Sequence, residues 1–455
     1  MDELFSRGVG SFIDPDNAFR KKIEAKAAGT YSKDIIIKLG IDPTRPDIHL
    51  GHAVILRKLR AFQDIGCKVI FLIGDYTSLI GDPTGKSKTR PEISQMEIEA
   101  NMRTYLDQVG KILSLEPKVF SWMRNSDWFL NVTDIAPEPG SSVTINSVDG
   151  STHISVDANS FIGKAAIFHS SRMQVTELKK LGTLNFSFLN ILSVLRHITH
   201  SRLIERDMFR DRIESGQELH MHEMLYPVLQ GIDSTALATI YGSCDLEIGG
   251  TDQTFNMLMG RDVMRMNGQE EQSVMALDIL EGLDGKEKMS KSLDNYVSIA
   301  DVPGDIYGKI MSVPDALIPR YFTLTTYAPL SEVEIIEKTL RDGKTNPRDV
   351  KMRLAREIVA LYHGEVAAEL AETNFIETFS QKKIPDEVKE VLGEFPTLLE
   401  AVMAAECAAS KTEARRLIED GAVTHLESDT KITLPTAKPE GGTYRVGKMR
   451  FFRIK

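Results

Sequence analysis

The amino-terminal part of the chain alternates between short apolar runs and a helical pattern. Residues 35–43 form an apolar run that ends in glycine, aspartate and proline, which is typical of a buried parallel strand. A second apolar run at 68–73 closes on Gly74 and Asp75, and helical spacing occupies 52–59 between the two. Strand, helix and strand in this order form a βαβ unit. We therefore predict an α/β fold with a Rossmann-like, doubly wound parallel sheet whose ligands lie beyond the strand ends.

The pattern changes further along the chain. Around 131–170 it becomes an alternation rich in Ser, Thr and Val, with Asp149 and Gly150 at a turn, which predicts a β-hairpin inserted into the main domain. Residues 240–248 suggest another core strand, and 332–378 are helical and strongly charged. The predicted domain limits are a catalytic domain at 1–325, an α-helical domain at 326–380, a linker at 381–395 and a small α+β domain at 396–455.

The composition is that of a soluble globular protein. Of 455 residues, 42% are hydrophobic and 26% are charged, which is ordinary for such a protein, and the length suffices for two or three domains. We find no run of about 18 apolar residues that would predict a membrane span, and no signal-peptide pattern. Cys67, Cys244 and Cys407 are scattered without metal-ligand spacing, so we interpret them as reduced thiols of a cytoplasmic protein. The net charge of −10 argues against a chain coated with nucleic acid.

Two cationic motifs carry the strongest chemical signal. Residues 288–292 read Lys-Met-Ser-Lys-Ser, which predicts a mobile basic loop with its ammonium groups three residues apart. His49 and His52 flank Gly51 at the predicted junction of strand and helix, where unpaired backbone N–H groups and the helix dipole favour phosphate. Isolated histidines at this position would be interpreted as helix caps. The presence of the lysine motif at 288–292 is what favours a functional role for the pair. Together the two motifs predict a site for the triphosphate of ATP.

A polar helix face suits a small-molecule pocket. Tyr226, Gln230 and Asp233 stand at helical spacing and are flanked by leucine and isoleucine. A helix that turns the same three residues towards water would have the same sequence. The face therefore predicts a polar pocket wall only in combination with the other motifs.

Two glycine-containing turns add candidate ligands. Asp82 lies in a Gly/Pro turn that we place at a strand end, where it either binds an ammonium group or is an ordinary turn aspartate. The spacing of glycines and lysine at 81–86 departs from that of a phosphate-binding P-loop. Gly249 and Gly250 precede Asp252, whose carboxylate is a candidate acceptor for ribose hydroxyls.

The carboxy-terminal segment concentrates positive charge in an otherwise acidic chain. Ser410 predicts a helix cap before a basic helix, and the last residues from Tyr444 onward are basic with interleaved aromatic residues. This concentration predicts a surface for a phosphate backbone, with a solvated basic tail as the alternative. The candidate RNA-binding residues are Lys411, Arg415, Arg416, Arg445, Lys448 and Arg450.

With these motifs the chain resembles the bacterial tyrosyl-tRNA synthetases, a family of class I aminoacyl-tRNA synthetases, over nearly its whole length. Residues 49–52 match the class signature HIGH and 288–292 match KMSKS. Segments 40–44, 226–233 and 250–253 carry residues typical of the family, as does 81–86. The final 60 residues resemble the S4-type RNA-binding domain that follows many bacterial members.

The resemblance implies a role for each candidate residue. For catalysis it implies His49, His52, Lys288, Lys291 and Thr44. For ATP binding it implies Asp42, Gly51, His52, Gly250, Asp252, Met289, Ser290, Lys291 and Ser292. For tyrosine binding it implies Asp82, Thr77, Tyr226, Gln230, Asp233 and Gln253.

The resemblance also implies the reaction and its partners. The expected activity is that of a tyrosine–tRNA ligase, with L-tyrosine, ATP and tRNA(Tyr) as substrates, Mg²⁺ arriving with ATP rather than in a dedicated protein site, and a homodimer as the assembly. Tryptophanyl-tRNA synthetase, a cytidylyltransferase on the same nucleotide-binding fold, and a catalytically silent RNA-binding paralogue are the alternatives. One position departs from the family, because many members have tyrosine two residues before Gly40 and this chain has Lys38. One arm of phenol recognition is therefore missing or comes from elsewhere.

Overall fold

The computed structural model describes most of the chain in two units. The described residues are 2–83, 95–102, 104–129, 142–146, 153–157, 188–204, 207–380, 388–393, 395–408, 410–428, 430–447 and 450–455. The first unit comprises 1–300 and 314–341, and the second comprises 301–313 and 342–455. This division differs from the predicted limit at residue 325, since the chain enters the second unit at 301 and returns to the first at 314.

A six-stranded sheet forms the centre of the first unit. The strands of this unit are β1 (Val9–Ile13), β2 (Ile36–Ile41), β3 (Lys68–Ile73), β4 (Phe120–Arg124), β5 (Ser142–Asn146), β6 (His153–Asp157), β7 (Leu246–Gly250) and β8 (Ser273–Leu277). The central sheet has the order β1-β8-β7-β2-β3-β4, in which β1 is antiparallel to β8 and the other pairs are parallel. The predicted doubly wound parallel sheet is therefore confirmed, with an antiparallel strand added at one edge.

The apolar runs form the central strands because both faces of the sheet are covered. Ile36, Ile37 and Leu39 on β2 are buried, and so is every residue of β3 after Lys68. The predicted strand at 240–248 is wrong in its first half. A helix continues to Tyr241 and ends at Gly242, whose φ of +84° terminates helices readily, and β7 begins only at Leu246.

Helices surround this sheet and connect its strands. The helices of the first unit are Asp2–Ser6, Ala18–Ala27, Leu50–Asp64, Asp75–Ile80, Gln95–Met102, Tyr105–Val109, Ser126–Phe129, Phe188–Leu195, His200–Ile204, Asp207–Glu214, Met221–Tyr241, Thr254–Met266, Ile318–Thr325 and Leu330–Arg341. Short 3-10 turns lie at Pro15–Asn17, Thr251–Gln253, Lys291–Leu293 and Asp315–Leu317. Among the described residues, no helix is long and apolar enough to span a bilayer.

Two glycines allow the helices Met221–Tyr241 and Thr254–Met266 to pack closely. A Cβ on Gly231 would lie 2.8 Å from Val263 Cγ2 and 3.0 Å from the carbonyl oxygen of Met259. A Cβ on Gly260 would lie 2.4 Å from Gln272 Nε2. These approaches leave no room for a side chain at either glycine.

The inserted segment contains a two-stranded antiparallel ribbon. β5 and β6 pair in register from Ser142 opposite Asp157 to Asn146 opposite His153. These are the segments whose alternating pattern predicts a hairpin. The turn at Asp149 and Gly150, and the rest of 131–170, lie outside the described residues.

The second unit consists of a helical part and a small α+β part. Its helices are Pro303–Met311, Pro347–His363, Glu365–Ser380, Leu398–Ala404 and Lys411–Glu419. Its strands are β9 (Lys389–Val391), β10 (Val423–His425), β11 (Thr430–Ile432), β12 (Gly442–Val446) and β13 (Arg450–Ile454), in the order β11-β10-β12-β13-β9. β9 falls inside the segment predicted as a linker. The sequence does not predict this strand, because three residues are too few to show an alternating pattern.

Candidate active site

A cavity of about 950 Å³ opens at the carboxyl ends of β2 and β7. The carboxyl ends of parallel strands are where ligands of this fold class are expected, and the volume lies in the range of small-molecule sites. The cavity brings together nearly all of the predicted catalytic, nucleotide and amino-acid residues. Those that line it are Asp42, Thr44, His49, Gly51, His52, Thr77, Asp82, Tyr226, Gln230, Asp233, Gly250, Asp252, Gln253, Lys288, Met289, Ser290 and Lys291. Ser292 follows in the Lys291–Leu293 turn.

The two histidines lie at the start of one helix, as the spacing predicts. His49 is the N-cap of Leu50–Asp64, and its backbone N–H donates to Nδ1 of His52 at 3.3 Å. The ring centroids are 3.9 Å apart. Because Nδ1 of His52 accepts, its ring proton resides on Nε2.

Both imidazoles are neutral in this environment. Burial first, and then the charges of Lys291 and Lys288, lower the pKa of His52 to about 3. Burial likewise lowers the pKa of His49 well below its usual value, with further contributions from His52 and the two lysines. A neutral imidazole donates hydrogen bonds without itself carrying charge, so these rings can stabilise negative charge on a bound phosphate.

The basic loop lies beside the histidines because its flanking chain pairs with theirs. The backbone N–H of Leu50 donates to Val297 O at 3.0 Å, and that of Ile299 donates to Ile48 O at 3.0 Å. A Cβ on Gly51 would lie 3.8 Å from Cβ of Met289. The histidine pair and the basic loop therefore lie side by side, as the sequence predicts, although the two imidazoles are neutral rather than cationic.

The two lysines of the loop have different surroundings. Lys288 forms an ion pair with Asp252, with Nζ 2.8 Å from Oδ2. Lys291 Nζ donates to the carbonyl oxygen of Arg45 over a long 3.4 Å. Burial lowers the pKa of Lys291 to about 8, and Asp47 partly opposes this change. Lys288 is anchored at the predicted ribose position, whereas Lys291 is held weakly.

A buried asparagine that the sequence reasoning missed shapes this loop. Asn295 Oδ1 accepts from the backbone N–H of Ser290 at 2.8 Å, and its Nδ2 donates to Asp284 at 2.7 Å and to Lys288 O at 3.1 Å. The side chain thus joins both arms of the loop. No periodicity or spacing marks such a residue, because its role depends on how the loop folds back.

The predicted amino-acid residues form two connected groups. Gln253 Nε2 donates a hydrogen bond to the Asp82 carboxylate at 2.6 Å. Asp82 is the residue that the sequence predicts to bind the ammonium group of the amino acid. Asp82 follows the helix Asp75–Ile80 rather than a strand, so the predicted location at a strand end is wrong. The helix begins directly after β3 and ends at Gly81, which has a φ of +83°. The turn residues Thr84, Gly85 and Lys86 lie outside the described residues.

Asp42 connects the predicted nucleotide side of the cavity to the predicted amino-acid side. Tyr226 Oη donates to its Oδ2 at 2.9 Å, and Thr77 Oγ1 donates to its Oδ1 at 2.9 Å. A Cβ on Gly74 would lie 2.2 Å from Asp42 Oδ1, so only glycine leaves room for this carboxylate. The predicted polar face of the helix that carries Tyr226 is therefore turned into the cavity and not towards water.

Asp233 lies at the buried end of the cavity. Its Oδ1 accepts from Trp128 Nε1 at 2.9 Å and its Oδ2 accepts from Asn125 Nδ2 at 3.4 Å. Burial raises the pKa of Asp233 to about 7, against the opposing effects of Lys38 and of the two donors. The sequence reasoning missed Asn125 and Trp128, which lie in a segment without a chemical pattern.

An ion pair is buried at the same end of the cavity. Lys38 Nζ lies 2.9 Å from Glu247 Oε1, and both residues line the cavity. A charged residue inside each of two apolar strand segments was a visible signal. The sequence analysis noted Lys38 only as a departure from the family's tyrosine, and it did not note Glu247.

Comparison with known proteins agrees with this geometry. The family model of class I tRNA synthetases (W and Y) matches residues 30–148 and 174–380. A protein of Moorella thermoacetica named tyrosine–tRNA ligase is 39% identical over 456 residues, which covers 99% of this chain and 94% of the relative. The chain belongs to the tyrosyl-tRNA synthetase family. A second relative, tyrosine–tRNA ligase 2 of Vibrio vulnificus, is 38% identical over 98% of this chain and 96% of its own length.

Solved structures support the fold of a class I synthetase. An Aspergillus nidulans mitochondrial tyrosyl-tRNA synthetase aligns with a TM-score of 0.55 at 20% identity and covers 82% of this chain and 92% of its own. A tyrosyl-tRNA synthetase of Archaeoglobus fulgidus aligns with a TM-score of 0.53 at 18% identity and covers 81% and 98%, respectively. At these identities the likeness shows the architecture alone.

The described part of this family member contains no group of three or more His, Cys, Asp or Glu residues that could hold a metal ion. The acidic residues of the cavity instead bond to other side chains, such as Asp252 to Lys288 and Asp82 to Gln253.

The predicted RNA-binding residues lie in the second unit. Ser410 caps the helix Lys411–Glu419 through its Oγ, as predicted, and Lys411, Arg415 and Arg416 are exposed on that helix. Arg445 is half-buried on β12. Arg450 forms an ion pair with Glu413 at 3.3 Å and donates to the carbonyl oxygen of Cys407, so part of its function is structural. Lys448 lies outside the described residues.

Proposed function

We propose that this protein activates L-tyrosine with ATP and transfers it to the 3′ end of tRNA(Tyr). The observation that carries the proposal is the convergence of the histidine pair and the basic loop on a cavity whose other end is lined by Asp82, Tyr226 and Asp233. The names of the full-length relatives favour tyrosine over the tryptophan alternative. Because every implied catalytic position is occupied, a silent paralogue is disfavoured, and a cytidylyltransferase would not need the amino-acid end of the cavity.

The proposed chemistry needs no side-chain nucleophile. The carboxylate oxygen of tyrosine attacks the α-phosphorus of ATP in line, and pyrophosphate leaves with the electrons of the broken bond. A terminal ribose hydroxyl of the tRNA then attacks the carbonyl carbon of the adenylate and displaces AMP. The protein contributes position and electrostatic stabilisation as negative charge shifts among the phosphate oxygens.

We assign the nucleotide end of the cavity to the residues near the helix start and the basic loop. His49, His52 and Thr44 would meet the α-phosphate in the transition state. Lys288 and Lys291 would meet the leaving pyrophosphate. Lys288 forms an ion pair with Asp252, whose carboxylate would accept from the ribose hydroxyls. The remaining ATP contacts would come from Asp42, Gly51, Gly250, Met289, Ser290 and Ser292. Mg²⁺ would arrive with the triphosphate and neutralise part of its charge.

We assign the other end to tyrosine. Asp82, Tyr226 and Gln230 would hold the ammonium group, with Gln253 and Thr77 supporting the activated amino acid. Asp233 would accept from the phenol hydroxyl at the buried end. Its two oxygens are held by neutral donors, which leaves a lone pair on the carboxylate for a third hydrogen bond.

ATP–pyrophosphate exchange with each of the twenty amino acids tests this function. We expect rapid exchange with tyrosine, exchange with phenylalanine reduced by the missing hydroxyl, background with the other amino acids, and loss of exchange when a chelator removes Mg²⁺. Exchange with tryptophan would favour the alternative amino acid. Background exchange with all twenty, from protein that is folded by circular dichroism, would contradict the enzymatic proposal.

We propose further that an S4-like domain at 396–455 binds the tRNA phosphates. The exposed cations Lys411, Arg415 and Arg416 lie within one and a half turns of a single helix, so they can follow one backbone. The three buried thiols and the tRNA partner favour the cytoplasm. The homodimer is a proposal that rests on the resemblance alone.

Replacing Arg415 and Arg416 together by glutamine tests this surface. We expect weaker tRNA binding and a plot of log affinity against log salt whose slope falls by about one for each lost phosphate contact. Tyrosine–ATP–pyrophosphate exchange should remain unchanged. Arg341→Gln, an exposed arginine of the first unit, is the matched control. Unaltered tRNA affinity and salt slope in the double variant would contradict the assignment.

A further inference from the structure

The buried end of the cavity contains an ion pair that the proposed chemistry does not use. Lys38 on β2 and Glu247 on β7 are direct register partners in the parallel sheet. Their side chains are 0% and 2% exposed, and Nζ lies 2.9 Å from Oε1. A pair so completely removed from water costs desolvation free energy, which suggests a role other than stability alone.

The ammonium group of Lys38 has no donor left for a ligand. Its three N–H groups are matched by three acceptors at 2.9 Å, which are Gln230 O, Ser234 Oγ and Glu247 Oε1. Lys38 would have to break one of these bonds in order to bind a substrate hydroxyl. It therefore does not replace the missing phenol donor directly.

Glu247 is bound just as fully. Its carboxylate accepts from Gln230 Nε2 at 3.0 Å, from Ser234 Oγ at 3.2 Å and from Gln272 Nε2. The pair thus holds Gln230 at both its backbone carbonyl and its side-chain amide. The ion pair therefore fixes the position of Gln230, which we assign to amino-acid binding.

The pair also acts electrostatically on Asp233. The positive charge of Lys38 lowers the pKa of this carboxyl and the negative charge of Glu247 raises it, so the two effects oppose each other. The other groups that contact Asp233 are the neutral donors Asn125 and Trp128. Tyr226, on the same helix as Asp233, donates its hydroxyl to Asp42.

We propose that the Lys38–Glu247 pair is a specificity-determining element that acts through Asp233, without contact with the substrate hydroxyl. The charge of Lys38 outweighs that of Glu247 at Asp233 and opposes the effect of burial, so Asp233 is able to ionise at neutral pH. An ionised carboxylate is the stronger acceptor for a phenol hydroxyl. This inference rests on the proposed function. It makes Lys38 and Glu247 positioning residues whose loss would alter the pH dependence of selectivity.

Single and double variants separate the two charges. Glu247→Gln leaves Lys38 uncompensated and should lower the pKa of Asp233. Lys38→Met leaves Glu247 uncompensated and should raise it. The double variant removes both charges and should return the pKa towards its original value. Glu270→Gln, an exposed glutamate outside the cavity, is the matched control for the glutamine substitution.

The measurement is the ratio of kcat/KM for tyrosine to kcat/KM for phenylalanine in pyrophosphate exchange, from pH 5.5 to 8.5. This ratio removes titrations that are common to both substrates, and kcat/KM reports groups of the free enzyme. In the unaltered protein we expect the ratio to rise with pH through a midpoint near 7, because burial raises the pKa of Asp233 to about 7. We expect the midpoint to fall by about one unit in Glu247→Gln and to rise by about one unit in Lys38→Met. In Lys38→Met the ratio at pH 7 should fall about fivefold, because the ionised fraction of Asp233 drops from about one half to about one tenth.

The outcomes distinguish this inference from the proposed function. Opposite shifts of the two single variants, with recovery in the double variant, would support it, because a merely structural pair would not move a midpoint in two directions. Unmoved midpoints, or shifts in the same direction, would overturn it while tyrosine-dependent exchange persists. If Lys38→Met does not fold, the near-isosteric Glu247→Gln decides alone, by a downward shift or by none. Absence of tyrosine-dependent exchange in the unaltered protein would instead overturn the proposed function.

Discussion

Replacing Lys291 by alanine is expected to lower the rate of tyrosyl-adenylate formation about 100- to 1,000-fold, the usual effect of removing one group that stabilises transition-state charge. Tyrosine binding should change little, because Lys291 lies at the nucleotide end of the cavity. Its ammonium holds only a long hydrogen bond to Arg45 O in the described structure. It can therefore leave that partner and move to the pyrophosphate as charge develops, and the binding free energy appears chiefly in the transition state.

Pre-steady-state burst kinetics measures this effect directly. The burst rate at saturating ATP and tyrosine reports adenylate formation, and equilibrium dialysis reports tyrosine binding. Lys286→Ala is the matched control, since Lys286 is an exposed lysine in the same segment that does not line the cavity. A normal burst rate in Lys291→Ala would remove the basic loop from the catalytic mechanism.

Replacing Asp233 by alanine is expected to reduce discrimination between tyrosine and phenylalanine. In the unaltered cavity, phenylalanine leaves this buried acceptor without the hydroxyl it would pair with. An unmatched buried polar group costs about 1–3 kcal/mol, which corresponds to roughly 5- to 150-fold in selectivity. Alanine removes the acceptor and with it this cost, so tyrosine should lose activity while phenylalanine loses little.

The ratio of exchange rates for tyrosine and phenylalanine measures the loss. Asp211→Ala, which removes an exposed carboxylate, is the control for the same chemical change. Trp128 and Asn125 would also lose a partner in Asp233→Ala, so folding should be monitored by thermal unfolding. An unchanged ratio in a folded variant would contradict the assignment of Asp233 to the phenol.

The local signals in the sequence were reliable wherever a single element produced them. The apolar runs predicted β2 and β3, the imidazole spacing predicted a helix start, and Ser410 predicted a helix cap. The error at 240–248 arose because an apolar stretch fits a buried helix end as well as a strand. The predicted place of Asp82 at a strand end was wrong because the six-residue helix Asp75–Ile80 separates Asp82 from β3.

By itself, the sequence determined the fold class, the two cationic motifs and the residues of the polar helix face. These features depend on composition and short-range spacing, which any reader of the chain can see. The tertiary structure alone decided that the loop meets the histidines, through backbone pairing of 48–50 with 297–299. It also decided that Lys38 faces Glu247 and that Asp233 is enclosed by Trp128 and Asn125. Register between strands and packing between distant segments create these contacts, and the resulting burial shifts the pKa of Asp233, on which the proposed selectivity depends.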